Sequence, residues 1–426
     1  VADRGSQFLG MLGARTGTLV LGAFASVVVA RSLAPDDRGT YYMAVTVAST
    51  AMALGHLSVE QAQTALWSER SVRASLRANS LPLGLLIGTG AALLAVMAAN
   101  CLSGAANLPD LWLLITACAG VPLGVGVLYG SNIALLTGRA GLSGTATLLG
   151  AVVQCGALVA LGLTGRLTVY WVVVIWVLSL AVPLLTLVAA GGFPVRRPDF
   201  KAARLTCAKG LKLHAGTAAS YALLRSDLFL LNALSGPHAV GIYSLAVTLA
   251  EWGRLVIDAV SQTSLSRQFA DSQDLAAAVT ARITRTMVLL VVGSAVTTVV
   301  VTSALVTPVY GRAYADVAGI VALLVPGVLV LAGSRPAVAY LLRCRPARFT
   351  VVPSLLALLV NVALNVLLIP VWGAAGCAVA STLAYVALAA VQLALFVRVS
   401  GTPWRRLLPG ASDLADIAVA TRGARR

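Results

Sequence analysis

The sequence predicts an all-α integral membrane protein of about twelve transmembrane helices, in two six-helix bundles related by a pseudo-two-fold axis along the membrane normal. Three observations carry this reading. Of 426 residues, 59% are hydrophobic and only 11% are charged, less than half the roughly 25% of a soluble domain. Twelve stretches have the length and apolarity to cross a bilayer, which takes about 20 residues. A turn near the start, with the helix after it, recurs in diverged form in the second half of the chain.

The twelve stretches are 8–32, 39–63, 80–103, 111–136, 142–164, 169–190, 213–234, 240–265, 286–308, 317–342, 351–370 and 375–397. None alternates as a strand would, and backbone groups in lipid need partners within their own segment, so these read as helices. The first is full length and leads straight into a second, unlike a removable signal peptide. The links at 64–79, 137–141, 191–212, 266–285 and 343–350, with the two tails, hold most of the 31 Lys and Arg residues. That alternation places those links and both termini on the cytoplasmic side. It also explains most of the +16 charge, which in a soluble protein would suggest nucleic acid. No nucleic-acid partner is expected here.

The central link, "GGFPVRRPDFKAARLTCAKGLKLH", sets the domain plan. An N-terminal six-helix bundle occupies 1–192, a basic cytoplasmic linker 193–212, a C-terminal bundle 213–399 and a basic tail 400–426. The linker's basic residues suit the anionic inner leaflet or the docking of a lipid carrier.

The recurring segment reads "ARSLAPDDRGTYYMAVTVA" at 30–48 and "NALSGPHAVGIYSLAVTLA" at 232–250. Pro35, Gly39, Tyr41 and Ala44 align with Pro237, Gly241, Tyr243 and Ala246 at a fixed offset of 202. The Pro, Gly and Tyr matches indicate an internal duplication. Pro and Gly punctuate the turn, and Asp36 and Asp37 are expected to cap the helix after it. An even number of helices per half makes the copies parallel repeats. "ALLTGRA" (134–140) and "YLLRCRPA" (340–347) form a second match, each ending a helix with an upstream proline. Proline interrupts the helical ladder, so Pro122 and Pro326 are candidate hinges.

Three stretches resemble the polysaccharide transporter branch of the multidrug/oligosaccharidyl-lipid/polysaccharide exporter superfamily, the Wzx-type flippases. They are "ARSLAPDDRGTYYMAVTVAST", "LLRSDLFLLNALSGPHAVGIYSLAVTLAE" and "NVALNVLLIPVWGAAGCAVASTLAYV". Ala34 departs from the usual Gly before Pro35, and Cys377 stands where Ala is common. The resemblance implies a secondary transporter, not an enzyme, in the bacterial inner (cytoplasmic) membrane. It implies transfer of oligosaccharide linked to undecaprenyl pyrophosphate from the cytoplasmic to the outer leaflet by alternating access, for cell-surface polysaccharide. A glycan polymerase or glycosyltransferases would be partners. The rival readings are a cation-coupled exporter of small organic cations or drugs, a lipid II flippase, and a non-transporting scaffold for glycan assembly.

Ionisable groups inside the spans are costly, and so are functional candidates by default. The arginines are Arg15, Arg225, Arg254 and Arg335. The acids are Glu60, Asp227, Glu251 and Asp258. Guanidinium forks match phosphate oxygens, which makes the four arginines candidate pyrophosphate contacts, with Arg225 roughly 16 Å from the inner end of its helix. Snorkelling is the alternative for Arg15 and Arg335. Glu251, Arg254 and Asp258 share one helix face, as a self-neutralised cluster or a charge switch. Asp227 and Glu60 are candidate coupling groups that could hold a proton or Na⁺, or simply bridge to an arginine. No cofactor and no metal site is expected: six scattered cysteines form no CxxC, and the three histidines lie far apart in sequence. No phosphate-loop motif exists for nucleotide hydrolysis. The pairs Asn361/Asn365 and Tyr129/Asn132 each share a helix face and could bind sugar hydroxyls or, the favoured reading, hydrogen-bond between helices. "GARTG", "GVPLG" and "GVLYG" are read as close-packing motifs.

Overall fold

A computed structural model describes residues 2–102, 107–193, 197–268, 273–346 and 348–410, without the side chains of 2–12, 262–268 and 273. The described residues form helices and no strands. In order these are α1 (Ala2–Ser32), α2 (Pro35–Gly55), α3 (Val59–Leu66), α4 (Arg73–Leu102), α5 (Leu111–Cys118), α6 (Gly120–Leu136), α7 (Ala140–Leu163) and α8 (Val169–Ala189). Then come α9 (Phe200–Gln268), α10 (Gln273–Tyr310), α11 (Val317–Gly333), α12 (Arg335–Cys344) and α13 (Arg348–Ser400).

Ten helical stretches among the described residues are long and apolar enough to span a membrane. Two of them are too long to be single spans. The 62 residues of Phe200–Ser261 and the 53 of Arg348–Ser400 would reach about 93 and 80 Å as straight helices, against a hydrocarbon core of about 30 Å. Each is broken once by a glycine in the left-handed region, Gly236 (φ 78°) and Gly373 (φ 53°). Broken there, the ten stretches give the twelve spans the sequence predicts.

Packing groups the chain into two compact units, Val1–Gly241 and Ile242–Arg426. The six-plus-six plan follows the repeat; compactness instead divides the chain after Gly241, so the seventh span packs with the first six. Side-chain bonds explain this. Asn232 Nδ2 donates to the Asn107 carbonyl (2.8 Å), and His214 reaches the carbonyl of Leu54 (2.9 Å). The basic link is also not free chain. Its helix starts at Phe200, capped by Asp199, whose Oδ1 accepts from the amides of Lys201 (3.0 Å) and Ala202 (3.1 Å). Ser75 donates to the other carboxylate oxygen (2.8 Å), and Asn79 brackets the Asp199 backbone with two bonds.

These donors, first the Ala202 amide and then Ser75, hold the Asp199 carboxyl below its usual value. A depressed carboxyl stabilises the fold above its unfolded pKa and loses that contribution as pH falls through the folded one. Amide exchange should therefore show constant protection at Ala202 from neutral pH to about pH 4, then progressive loss below it. Protection that ignores acid would dismiss the cap.

The first unit is built around α2. Met43, Ala44, Val47 and Ala48 pack against Leu113, Leu114 and Ala117 of α5, Val121 and Val125 of α6, and Val173 of α8. Lipid supplies no hydrophobic drive between helices, so close backbone approach matters. A Cβ on Gly84 would come within 2.8 Å of Gly126 Cα, and one on Gly88 within 2.5 Å of Pro122 Cα. The outer face is apolar: Leu86, Leu93, Leu94 and Met97 of α4 are 61–72% exposed, as lipid-facing residues are. In the second unit Tyr340 meets the Phe396 ring edge-to-face. Asn361, Asn365 and Ser381 are fully buried and bonded together, with the Tyr243 hydroxyl 3.4 Å from Ser381 Oγ.

The two copies of the repeated turn meet. Asp36 Oδ2 lies 2.9 Å from His238 Nδ1. A Cβ on Gly39 would collide with the Pro237 carbonyl and approach the Gly241 nitrogen; one on Gly241 would collide with the Pro35 carbonyl and approach the Gly39 nitrogen. Positions 35, 36 and 39 match 237, 238 and 241 at the repeat offset, so the contact maps onto itself as an isologous one does. The aspartates do not cap as expected. Ala34 is the N-cap residue, Pro35 opens the helix, and Asp36 and Asp37 sit in its first turn, where they complement the helix dipole.

Candidate functional site

The second span is interrupted where no proline or glycine forces it. After α2, His56 leads into Leu57 (φ 50°) and Ser58 (φ 48°), both left-handed, before α3 begins. Left-handed non-glycine residues cost about 1–3 kcal/mol each and persist where surroundings hold them. Side chains from other helices do so by bonding carbonyls on both sides of the break. His214 serves Leu54, the Tyr129 hydroxyl donates to the His56 carbonyl, and Asn132 Nδ2 donates to the Glu60 carbonyl (2.9 Å). Tyr129 and Asn132 are thus interhelical bonding groups, as the sequence suggested.

The histidines lie far apart in sequence, yet two share this break, with ring centroids 5.2 Å apart. His214 Nε2 faces the Leu54 carbonyl, so it carries the hydrogen. Nδ1 then accepts from the Ser58 hydroxyl (3.1 Å). His56 Nδ1 accepts from the Ser58 backbone N–H (3.1 Å) and also faces Glu60 Oε2 (3.0 Å). A backbone N–H only donates. If His56 Nδ1 keeps its lone pair for that amide, the proton in the Glu60 contact is on the carboxyl. If the proton is on His56, Nδ1 donates to Glu60 and the Ser58 amide loses its acceptor. One proton and one backbone hydrogen bond distinguish the two arrangements.

Glu60 also reaches a cavity of about 480 Å³ lined by Arg15, Thr18, Ser131, Asn132, Ser143 and Thr147 among others. The structure therefore brings together two sequence candidates, Arg15 and Glu60. Arg225 and Asp227 lie elsewhere on α9 and do not line that cavity. Arg225 is half-buried. Asp227 is 3% exposed, with Oδ1 accepting from the Leu228 amide at 2.8 Å.

In the second unit Asp258 lies between two guanidiniums. Arg254 Nε donates to Oδ2 (3.1 Å) and Arg335 Nη1 to Oδ1 (2.6 Å). The spacing of 254 and 258 was legible as one helix face; the partnership with Arg335 of α12 was not. Glu251, one turn before Arg254, is half-buried. Arg254 and Arg335 each give Asp258 one of their five donors. As for the hinge candidates, Pro122 follows the α5–α6 interruption at Ala119. Pro326 lies inside unbroken α11, and that span is interrupted at Ser334 instead.

Missed in the sequence were His56, Ser58 and His214. The signal was there: His56 stands four residues before Glu60 in an apolar stretch, and intramembrane ionisable groups need partners.

Among the described residues the chain is all helix, with stretches long and apolar enough to cross a membrane and charged side chains paired between them. Solved membrane proteins share this fold. A lipid II flippase, MurJ, in an inward-closed conformation matches with a TM-score of 0.69 at 11% identity, over 92% of this chain and 89% of that one. An inward-facing multidrug resistance transporter of the MATE family matches with a TM-score of 0.68 at 14% identity, over 90% and 95%. A superfamily transporter from Pyrococcus furiosus, described as having a binding pocket of reversed polarity, matches with a TM-score of 0.66 at 13% identity, over 92% and 94%. At these identities the likeness is one of fold. No curated protein sequence matches the chain. The chain belongs to the polysaccharide biosynthesis protein family, whose model matches residues 28–319.

Proposed function

We propose that the protein flips an oligosaccharide linked to undecaprenyl pyrophosphate from the cytoplasmic to the outer leaflet of the bacterial inner membrane, with both termini cytoplasmic. Membership of a polysaccharide biosynthesis family supports a glycan cargo. The observation that carries the pyrophosphate is Asp258, outnumbered by Arg254 and Arg335 inside the membrane. A self-neutralised pair would suffice for stability. Two guanidinium forks held side by side by one carboxylate suit an anion that arrives and leaves, and Asp258 keeps both side chains in place between visits. Arg15 and Arg225 are further candidate contacts for the pyrophosphate in this reading. Coupling falls to Glu60 and His56, whose single proton favours H⁺ over Na⁺.

The test is native mass spectrometry of the purified protein with undecaprenyl pyrophosphate, against a zwitterionic lipid. Selective binding is expected, falling about tenfold or more in Arg254→Ala/Arg335→Ala, the loss that one or two charge-assisted bonds predict. Asp258→Asn should keep it. Binding without preference for the pyrophosphate would transfer the assignment to an exporter of small organic cations.

A further inference from the structure

The second unit holds a cavity with arginines on its walls that shares no lining residue with the Asp258 cluster and has no part in the proposed function. It has a volume of about 380 Å³ and lies between the start of α10 and the end of α13. Its α10 wall is one helical face, Asp274, Ala277, Ala281, Arg282 and Arg285. The alanines make the hollow: Ala277 and Ala281 pack on Phe396 and Leu407 and fill no space beyond them. The opposite wall is a built turn. Gly401, in the left-handed region (φ 69°), donates its N–H to the Val397 carbonyl (3.0 Å) and ends α13. Ser400 Oγ accepts from the Thr402 amide (3.2 Å) and bonds Thr402 Oγ1 (2.9 Å). A 3₁₀ turn, Trp404–Leu407, follows, anchored by Leu407 at 4% exposure, and places Arg406 on the cavity wall.

Among the described residues that line it, three are arginines and one, Asp274, is a carboxylate. Forked donors beside hydroxyl groups are the chemistry that recognises phosphate oxygens. The cavity also lies beside the basic links at 266–285 and after residue 399, which suit an anionic membrane surface. We propose that this cavity binds a phosphate group through Arg282, Arg285 and Arg406. The shared chemistry admits an anionic phospholipid headgroup or a soluble phosphate.

Native mass spectrometry of the full chain distinguishes the sources. The probes are phosphatidylglycerol, phosphatidylcholine and inorganic phosphate. Arg405, next in sequence to Arg406 but not on the cavity wall, supplies the control. Phosphatidylglycerol retention should fall at least about tenfold in Arg282→Ala/Arg406→Ala and stay at the wild-type level in Arg405→Ala, with phosphatidylcholine unaffected. Displacement of the lipid by inorganic phosphate would assign the site to the phosphate itself; retention despite it would assign a lipid site. Arg282→Lys/Arg406→Lys, which keeps charge and fold but loses the forks, should bind several-fold less than wild type. Equal retention by wild type and the alanine or the lysine variant, or equal loss in Arg405→Ala, overturns the proposal.

Discussion

On the proposed coupling through Glu60, replacing it by glutamine is expected to cut gradient-driven transport by about a hundredfold, the low end of what a positioned proton-transfer group contributes elsewhere, while substrate binding stays near wild type. The reason is local. Glutamine keeps the size of Glu60 and offers an N–H to His56 Nδ1 that it cannot give up. The pair is then fixed in the arrangement in which Nδ1 also accepts from the Ser58 amide. In the wild type, moving the proton onto His56 withdraws that acceptor from a residue already in the left-handed region. Protonation is thereby tied to the break in the second span, which is how a proton would drive a conformational step. The measurement is uptake of a lipid-linked glycan analogue into proteoliposomes under an imposed pH gradient, beside equilibrium binding. Unchanged gradient-driven transport would remove Glu60 from coupling; equal losses of binding and transport would make it a substrate ligand.

Gly39→Ala should destabilise the protein by roughly 3 kcal/mol, the upper part of the range for overpacked sites. Helix propensity alone favours alanine over glycine by about 1 kcal/mol, so the two effects have opposite sign. The clash wins because the atoms in the way are the Pro237 carbonyl and the Gly241 amide nitrogen, backbone with no rotamer to change. Gly241→Ala meets the Pro35 carbonyl and should cost the same. The double variant should cost less than the two together, since one separation of the turns relieves both. Thermal unfolding in detergent reads all three. A stabilised Gly39→Ala would show that the turns are not in contact.

Span positions were legible because apolar run length is what a bilayer selects, and no tertiary contact can alter it. The link at 193–212 was harder. Its helix from Phe200 is basic, so hydropathy does not register it, although Asp199 ahead of "FKAAR" is a cap signal in plain sight. The repeat was legible through Pro35, Gly39 and Tyr41; that its copies touch was not, because offset carries no distance. Of the candidate site, single charges could be named but not matched. Asp258 and Arg335 are 77 residues apart, and only folding pairs them. The break follows Gly55, yet its left-handed residues, Leu57 and Ser58, are neither glycine nor proline, and His214 and Tyr129 hold it from outside the segment.

The single-glycine breaks at Gly236 and Gly373 also bear on how the chain is made. Spans seven and eight, and spans eleven and twelve, have no hydrophilic loop between them for the insertion machinery to translocate. Each pair must enter the bilayer as a finished hairpin, its second limb committed as soon as the first is. The same tightness leaves those two turns without slack for a protease to grip or for a reporter tag to be accepted, so topology mapping has to rely on the other connections.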